Sequence, residues 1–397
     1  MGLTGNWLLG VVAAVAVGAI ALTARIWPSL ARQRTAHVLG RIGLVLLCQV
    51  TTIALGLTAI NDELTLMASW SDLVGSTARH QVWSPVADRT AEAVADEPIT
   101  ITGASAGTSF GTALLPLPVA RALAEADVDP PPPDGAVLRI QIRGEYTGIT
   151  STPAYVYLPP QYFQPAYAHA AFPVTLVFAG YPNDPLDLMR LLHVPGIAAR
   201  LTASRLVHPM VYVMVNPSVA LPRDTECTDV PAGPQVATFF GRDVPLALQR
   251  TFRVQVGRSG WATLGYSTGA YCATKIAMLY PHQFAAAVAL SGYFTALRDL
   301  TTGNLYGGSL GYRNDNDLDW RLTHLPAPPV SVLAASTAHG EQTLPATLRF
   351  LRLIRPPMRG YSLILRQGGH NYFTWRRMLP QSLQWLSQRL SPPVPGR

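Results

Sequence analysis

Five consecutive residues, Gly265-Tyr266-Ser267-Thr268-Gly269, have the types and spacing of a serine nucleophile held on a sharp turn. In a G-x-S-x-G pentapeptide the serine stands between a strand and a helix, and glycine is needed on both sides because a Cβ there would meet neighbouring backbone. A serine hydroxyl attacks a carbonyl only when a base takes its proton, and that base is commonly an imidazole oriented by a carboxylate. Chains of this kind run nucleophile, acid, histidine. That order points to His370, in Gly368-Gly369-His370-Asn371. His193, His208, His282 and His339 stand in loops or at element ends where packing or a surface position accounts for them.

After the strand-like run Val330 to Leu333, Glu341 is the one carboxylate before His370. It would accept Nδ1–H of the imidazole and hold the ring in the tautomer that receives the serine proton. Asp315, Asp317 and Asp319, upstream of that run, are the alternative acids and read otherwise as a solvated face or a substrate rim. The negative charge developing on an attacked carbonyl needs backbone N–H donors. One falls to Thr268, directly after the nucleophile. The loop Ala179-Gly180-Tyr181-Pro182 supplies the other, and because Pro182 lacks an N–H the donor is assigned to Tyr181.

These residues need a sheet to position them. Val137–Ile142 and Tyr155–Leu158 alternate like an opening antiparallel pair at a sheet edge, whereas Val174–Phe178 and Val211–Val215 are mostly apolar, as strands buried on both faces are. Ala262–Leu264, Ala287–Leu290, Val330–Leu333 and Ser362–Leu365 follow, separated by helical stretches such as Ala270–Leu279 and Leu379–Leu390. The pattern predicts an α/β domain with a mainly parallel sheet of about eight strands, over 136–397.

The 397 residues exceed one domain of roughly 250 residues. Charged residues are only 13%, hydrophobic residues 49% and the mean hydropathy is +0.20, a composition that excludes disorder and an ordinary soluble chain. Trp7–Thr23 and Ile42–Asn61 are uncharged and long enough to span hydrocarbon, and Arg25, Arg32, Arg34 and Arg41 lie between them. No basic leader or A-x-A site marks the first as a signal peptide. Residues 1–61 are therefore expected to form a transmembrane hairpin with a cytoplasmic arginine loop, leaving the large domain extracytoplasmic. Residues 62–135 read as a linker: an amphipathic surface stretch from Glu63 to Gly75 with Trp70 at the interface, then the stiff run Pro130–Pro133. In an oxidising compartment Cys227 and Cys272 are expected to pair, Cys48 lying within a span. The net charge of +7 is scattered arginine, Lys275 being the sole lysine, so nucleic-acid binding is excluded. No metal, nucleotide or flavin motif occurs, and no cofactor is expected.

From Ala136 to Leu390 the chain resembles the esterase family of α/β-hydrolases that includes esterase D and the mycobacterial antigen 85 mycolyltransferases. The resemblance rests on Tyr157-Leu158-Pro159, Gly180-Tyr181-Pro182, the Ser267 elbow with Tyr280-Pro281-His282-Gln283-Phe284 beyond its helix, Ala289-Leu290-Ser291-Gly292, and Gly369-His370 followed by Trp375. It implies an α/β-hydrolase fold, Ser267 as nucleophile, His370 as base, and Tyr181 and Thr268 as oxyanion donors. The chain departs from antigen 85 in having Ala179 and Pro182 where charged residues flank the oxyanion loop, and in keeping its apolar hairpin. The expectation is a membrane-anchored serine esterase of an actinobacterial cell envelope acting on an acyl ester or lipid. The alternatives are an acyltransferase onto a cell-envelope glycolipid, and a catalytically silent envelope-binding domain.

Overall fold

The computed structural model describes residues 6–31, 34–64, 98–105, 116, 119 and 134–394. These form two compact units. One holds the two N-terminal helices with Thr337–Gln342 and Arg366–Thr374, and the other holds the remaining described residues.

Helix α1 (Asn6–Ile26) and helix α2 (Thr35–Leu64) are joined by a turn around Trp27–Leu30. Both are long and apolar enough to cross a membrane. They pair as a hairpin, with Thr23 Oγ1 3.2 Å from Cys48 Sγ. Gly40 allows the Leu30 side chain to approach, since a Cβ there would lie 3.2 Å from it. The outward side chains of both helices are exposed and apolar, among them Val15, Ile20, Leu46 and Ile53. Arg25 and Arg41, expected in the connecting loop, are helical, because α1 runs past Thr23 to Ile26 and α2 begins at Thr35, well before the uncharged stretch does. Beyond Leu64, the expected amphipathic stretch and Pro130–Pro133 lie outside the described residues.

The second unit is built on a nine-stranded sheet of order β1-β2-β3-β5-β4-β6-β7-β8-β9. The strands are β1 Ile99–Ser105, β2 Ala136–Ile142, β3 Ala154–Leu158, β4 Val174–Phe178, β5 Val211–Val215, β6 Trp261–Tyr266, β7 Ala286–Leu290, β8 Ser331–Thr337 and β9 Arg359–Leu365. β5, β4, β6, β7 and β8 run parallel. Every residue of β3 to β7 is buried, as expected where both faces of a mainly parallel sheet are covered. The antiparallel pair β2–β3 is not at the edge, since β1 pairs antiparallel with β2 outside it. That strand falls within the stretch read as linker, so the sheet reaches back to Ile99. Several bounds also shift: the last helix runs Tyr372–Ser387, β8 extends to Thr337, β6 extends at both ends and β9 begins at Arg359.

Cys227, in the loop after β5, and Cys272, on the helix Thr268–Leu279, are joined by a disulfide with Cα atoms 5.5 Å apart. Elsewhere the Ser387 hydroxyl accepts the backbone N–H of His208 at 3.0 Å and lies 3.0 Å from the ring Nδ1. Burial pushes the His208 pKa down from 6.5 to about 4. The unfolded chain therefore takes up a proton that the fold refuses, and stability present above pH 6.5 is lost as the pH falls toward 4. The ring is partly exposed, which reduces the effect to about 1–2 kcal/mol. We expect wild type to lose several more degrees of Tm than His208→Gln between pH 7 and pH 4.5; equal losses would contradict the assignment.

Candidate active site

Ser267 sits at the junction of β6 and the helix Thr268–Leu279, with φ 54° and ψ −125°. This backbone conformation is one that residues with a Cβ rarely adopt and that clusters at functional sites. Three features impose it. The Ser267 N–H donates to Leu290 O at the end of β7 (3.0 Å). A Cβ on Gly265 would stand 2.0 Å from Gly269 O. A Cβ on Gly269 would stand 2.3 Å from Phe178 O and 2.5 Å from Ala179 O. The two glycines thus let the helix start against β6 and against the end of β4. The Ser267 side chain does not cap the helix, and Thr268, as the first helical residue, has an amide with no acceptor inside the helix.

The loop after β4 abuts this turn. A Cβ on Gly180 would lie 2.7 Å from the Tyr266 ring and 3.1 Å from Ser267 Cβ. Gly180 O accepts from Asn183 N–H at 2.8 Å, closing a tight turn around Tyr181, whose hydroxyl donates to Pro222 O at 2.5 Å. Tyr266 stacks on Trp375, with centroids 4.2 Å apart. The backbone amides of Tyr181 and Thr268 are thus placed on two segments that meet at Ser267.

Glu341 and His370 occupy the loops that follow β8 and β9. His370 Nδ1 is 3.5 Å from Glu341 Oε2; the glutamate side chain is fully buried and the histidine partly exposed. The loops are tied together by Gly368 N–H to His339 O and by the Thr337 hydroxyl to Gly368 O, both 3.0 Å. The alternative acids have local structural work. Asp317 caps its helix by accepting from Trp320 N–H at 2.9 Å, and Asp319 pairs with Arg349 at 2.6 Å. Asp315 lies in the last turn of the helix Leu310–Asn316, where its carbonyl accepts from Arg321.

The sequence reading missed a buried polar cluster made by Asp224, Glu226, Lys275 and Tyr293. Lys275 Nζ donates to Glu226 O at 3.0 Å and to Thr228 Oγ1 at 2.7 Å. Burial pushes Lys275 down to about 7 and Glu226 up to about 7, and it raises Asp224 as well. The available signal was the lone lysine of an arginine-rich chain, set in the apolar run Thr268–Leu279.

Residues 149–324 match the model of the family described as Putative esterase. An uncharacterised protein of Corynebacterium glutamicum is 23% identical over 268 residues, covering 64% of this chain and 62% of that protein, so the chain spans under two thirds of the curated relative it matches. A ferulic acid esterase superposes with a TM-score of 0.54 at 19% identity, over 64% of this chain and 98% of its own. An S-formylglutathione hydrolase from Agrobacterium tumefaciens gives 0.54 at 16% identity, over 65% and 96%. A fluorophosphonate-binding serine hydrolase of Staphylococcus aureus gives 0.51 at 18%, over 64% and 98%. Likeness at these identities establishes the fold, an α/β fold with a mainly parallel sheet shared with these solved structures, and residues 149–324, under half of the chain, are what the Putative esterase model matches.

Proposed function

We propose that the protein is a serine carboxylic ester hydrolase, anchored in a membrane by α1 and α2, with its hydrolase domain extracytoplasmic. The observation that carries the reading is the backbone of Ser267, held in a costly conformation at the strand-to-helix turn of an esterase-family domain. Two apolar helices of spanning length, with Arg25 at the end of α1, Arg34 before α2 and Arg41 in its second turn, support the anchoring and its direction.

In this reading the Ser267 Oγ attacks the ester carbonyl while His370 Nε2 takes its proton, and Glu341 orients the ring and stabilises its charged form through Nδ1. The Thr268 and Tyr181 amides receive the oxyanion. As the C–O bond breaks, His370 returns the proton to the departing alcohol and leaves an acyl group on Ser267. Water, deprotonated by the same imidazole, then releases the acid.

The test is fluorophosphonate labelling of the detergent-solubilised full chain, with p-nitrophenyl butyrate hydrolysis in parallel. Wild type is expected to label and to hydrolyse, and His370→Ala to lose at least about 10³-fold in both. A histidine variant that labels at the wild-type rate would remove His370 from the mechanism. A folded wild type that neither labels nor hydrolyses would overturn the esterase reading.

A further inference from the structure

In the turn that follows β4, Asn183 is hydrogen-bonded through its amide, its side chain and its carbonyl. Pro182 has no N–H, so the first amide able to reach back to Gly180 O is that of Asn183, which donates to it at 2.8 Å. The Asn183 Nδ2 donates to the Tyr266 hydroxyl at 3.2 Å, and the Asn183 carbonyl accepts from Asn216 Nδ2 at 3.4 Å. Both partners are themselves held in place. Tyr266 is fully buried, stacks on Trp375 and directly precedes Ser267. Asn216 is buried just after β5, and its Oδ1 accepts the Ser218 N–H at 2.8 Å.

The bond to Gly180 O aims a donor. A trans peptide is planar, with its C=O and its N–H on opposite sides. The peptide between Gly180 and Tyr181 has its carbonyl held inside the turn by Asn183, so the Tyr181 N–H points outward. On the other segment Ser267 O accepts the N–H groups of Ala270 and Tyr271 at 3.0 and 3.3 Å, which directs the Thr268 N–H out of the helix end in the same manner. Each donor peptide is thus fixed within its own segment. An oxyanion needs both N–H groups at about 2.7–3.1 Å from one point, so the two segments must also be fixed against each other. Gly180 lets them approach, a Cβ there lying 2.7 Å from the Tyr266 ring, but contact alone does not set direction. The bond from Asn183 to Tyr266 does, and it joins the segments two residues from each donor.

We propose that Asn183 is a positioning residue, whose side-chain bond to the Tyr266 hydroxyl sets the turn 180–183 against the Ser267 turn and so holds the Tyr181 N–H in register with that of Thr268. This rests on the reading of Tyr181 and Thr268 as oxyanion donors. The bond contributes to the rate and not to ground-state affinity, because donors aimed at the oxyanion act in the transition state.

The test compares wild type, Asn183→Ala, Tyr266→Phe and the double variant Asn183→Ala/Tyr266→Phe of the full chain. Three readouts are used: kcat and KM on p-nitrophenyl butyrate, the Ki of an alkyl trifluoromethyl ketone, whose serine adduct carries the oxyanion, and amide hydrogen exchange in peptides covering 180–183. Asn183→Ala keeps the backbone N–H and loses the side-chain bond; kcat should fall about 10- to 100-fold, less than the roughly 10²- to 10³-fold of a deleted donor, with KM within about twofold. The ketone Ki should rise by the same factor as kcat/KM falls. Tyr266→Phe keeps the stacked ring and should lose about tenfold; the buried ring cannot touch substrate, so this loss acts through position. The double variant should lose no more than Asn183→Ala alone, since both remove one interaction. Exchange over 180–183 should rise in both single variants while peptides from β7 match wild type. Wild-type kcat and Ki in Asn183→Ala, a loss confined to KM, or losses that multiply in the double variant overturn the assignment. A folded wild type inert toward fluorophosphonate overturns the esterase reading, whereas an active wild type beside an unimpaired Asn183→Ala overturns the positioning role alone.

Discussion

Ser267→Ala is expected to abolish covalent fluorophosphonate labelling and to lower kcat by about 10⁴- to 10⁶-fold, leaving a folded protein. The loss is large because in the proposed mechanism the acyl group is carried on Ser267. The companion Ser267→Gly separates a nucleophile from an ordinary buried serine. At φ 54° and ψ −125° any side chain carries strain of about 1–3 kcal/mol. Glycine removes that strain and costs about 0.5–1 kcal/mol in chain entropy. The balance favours the glycine variant, so Ser267→Gly should be as inactive as Ser267→Ala and melt about 1–4 °C higher than wild type. Intact-protein mass after labelling and a thermal melt check both. A labelled Ser267→Ala removes the nucleophile assignment, and a glycine variant that melts lower shows that the turn stores no strain.

The second large effect is on folding. Gly269→Ala puts a Cβ 2.3 Å from Phe178 O and 2.5 Å from Ala179 O, atoms of backbone that cannot rotate away. Relief requires moving the helix Thr268–Leu279 off the end of β4, which opens packing around fully buried Ala270 and Tyr271. Overpacking against backbone costs about 3 kcal/mol or more, or about 6–12 °C in Tm for a domain of this size. Activity should fall more than about 100-fold, since the same shift displaces Ser267 and the Tyr181 loop. The control is Gly257→Ala, where the nearest atom is Ser259 Oγ at 4.0 Å; it should stay within about 0.5 kcal/mol of wild type. Similar melts for the two variants would contradict the packing argument.

How much of this was legible follows from where the constraints lie. β4 and β5 were read with their observed bounds because full burial on both faces demands an unbroken apolar run. β1, Ile99–Ser105, alternates only over residues 99–102 and then runs into Gly103, Ala104 and Ser105 with a register shift after Ile101, so its periodicity is too short to stand out. The Ser267 turn was legible because its needs are local, two glycines within reach of one serine. The buried polar cluster was not, because Asp224, Glu226, Lys275 and Tyr293 come from three separate segments. Only a parallel sheet with loops gathered at one end brings them together. Polar residues in such a cluster look in sequence like any loop and helix composition.

The Cys227–Cys272 bond closes a stretch of chain with a sequence separation of 45, and that stretch contains β6 and the whole serine turn. In the unfolded chain such a ring removes configurations worth about 4 kcal/mol. Typical folding margins are about 5–15 kcal/mol. Material made in a thiol-reducing cytosol starts without that contribution, and because both sulfurs are fully buried once the core closes, oxygen reaches them poorly afterwards. The order of events during production therefore matters: oxidation has to accompany folding, which favours export to an oxidising compartment or refolding in a thiol–disulfide buffer over air oxidation of finished protein.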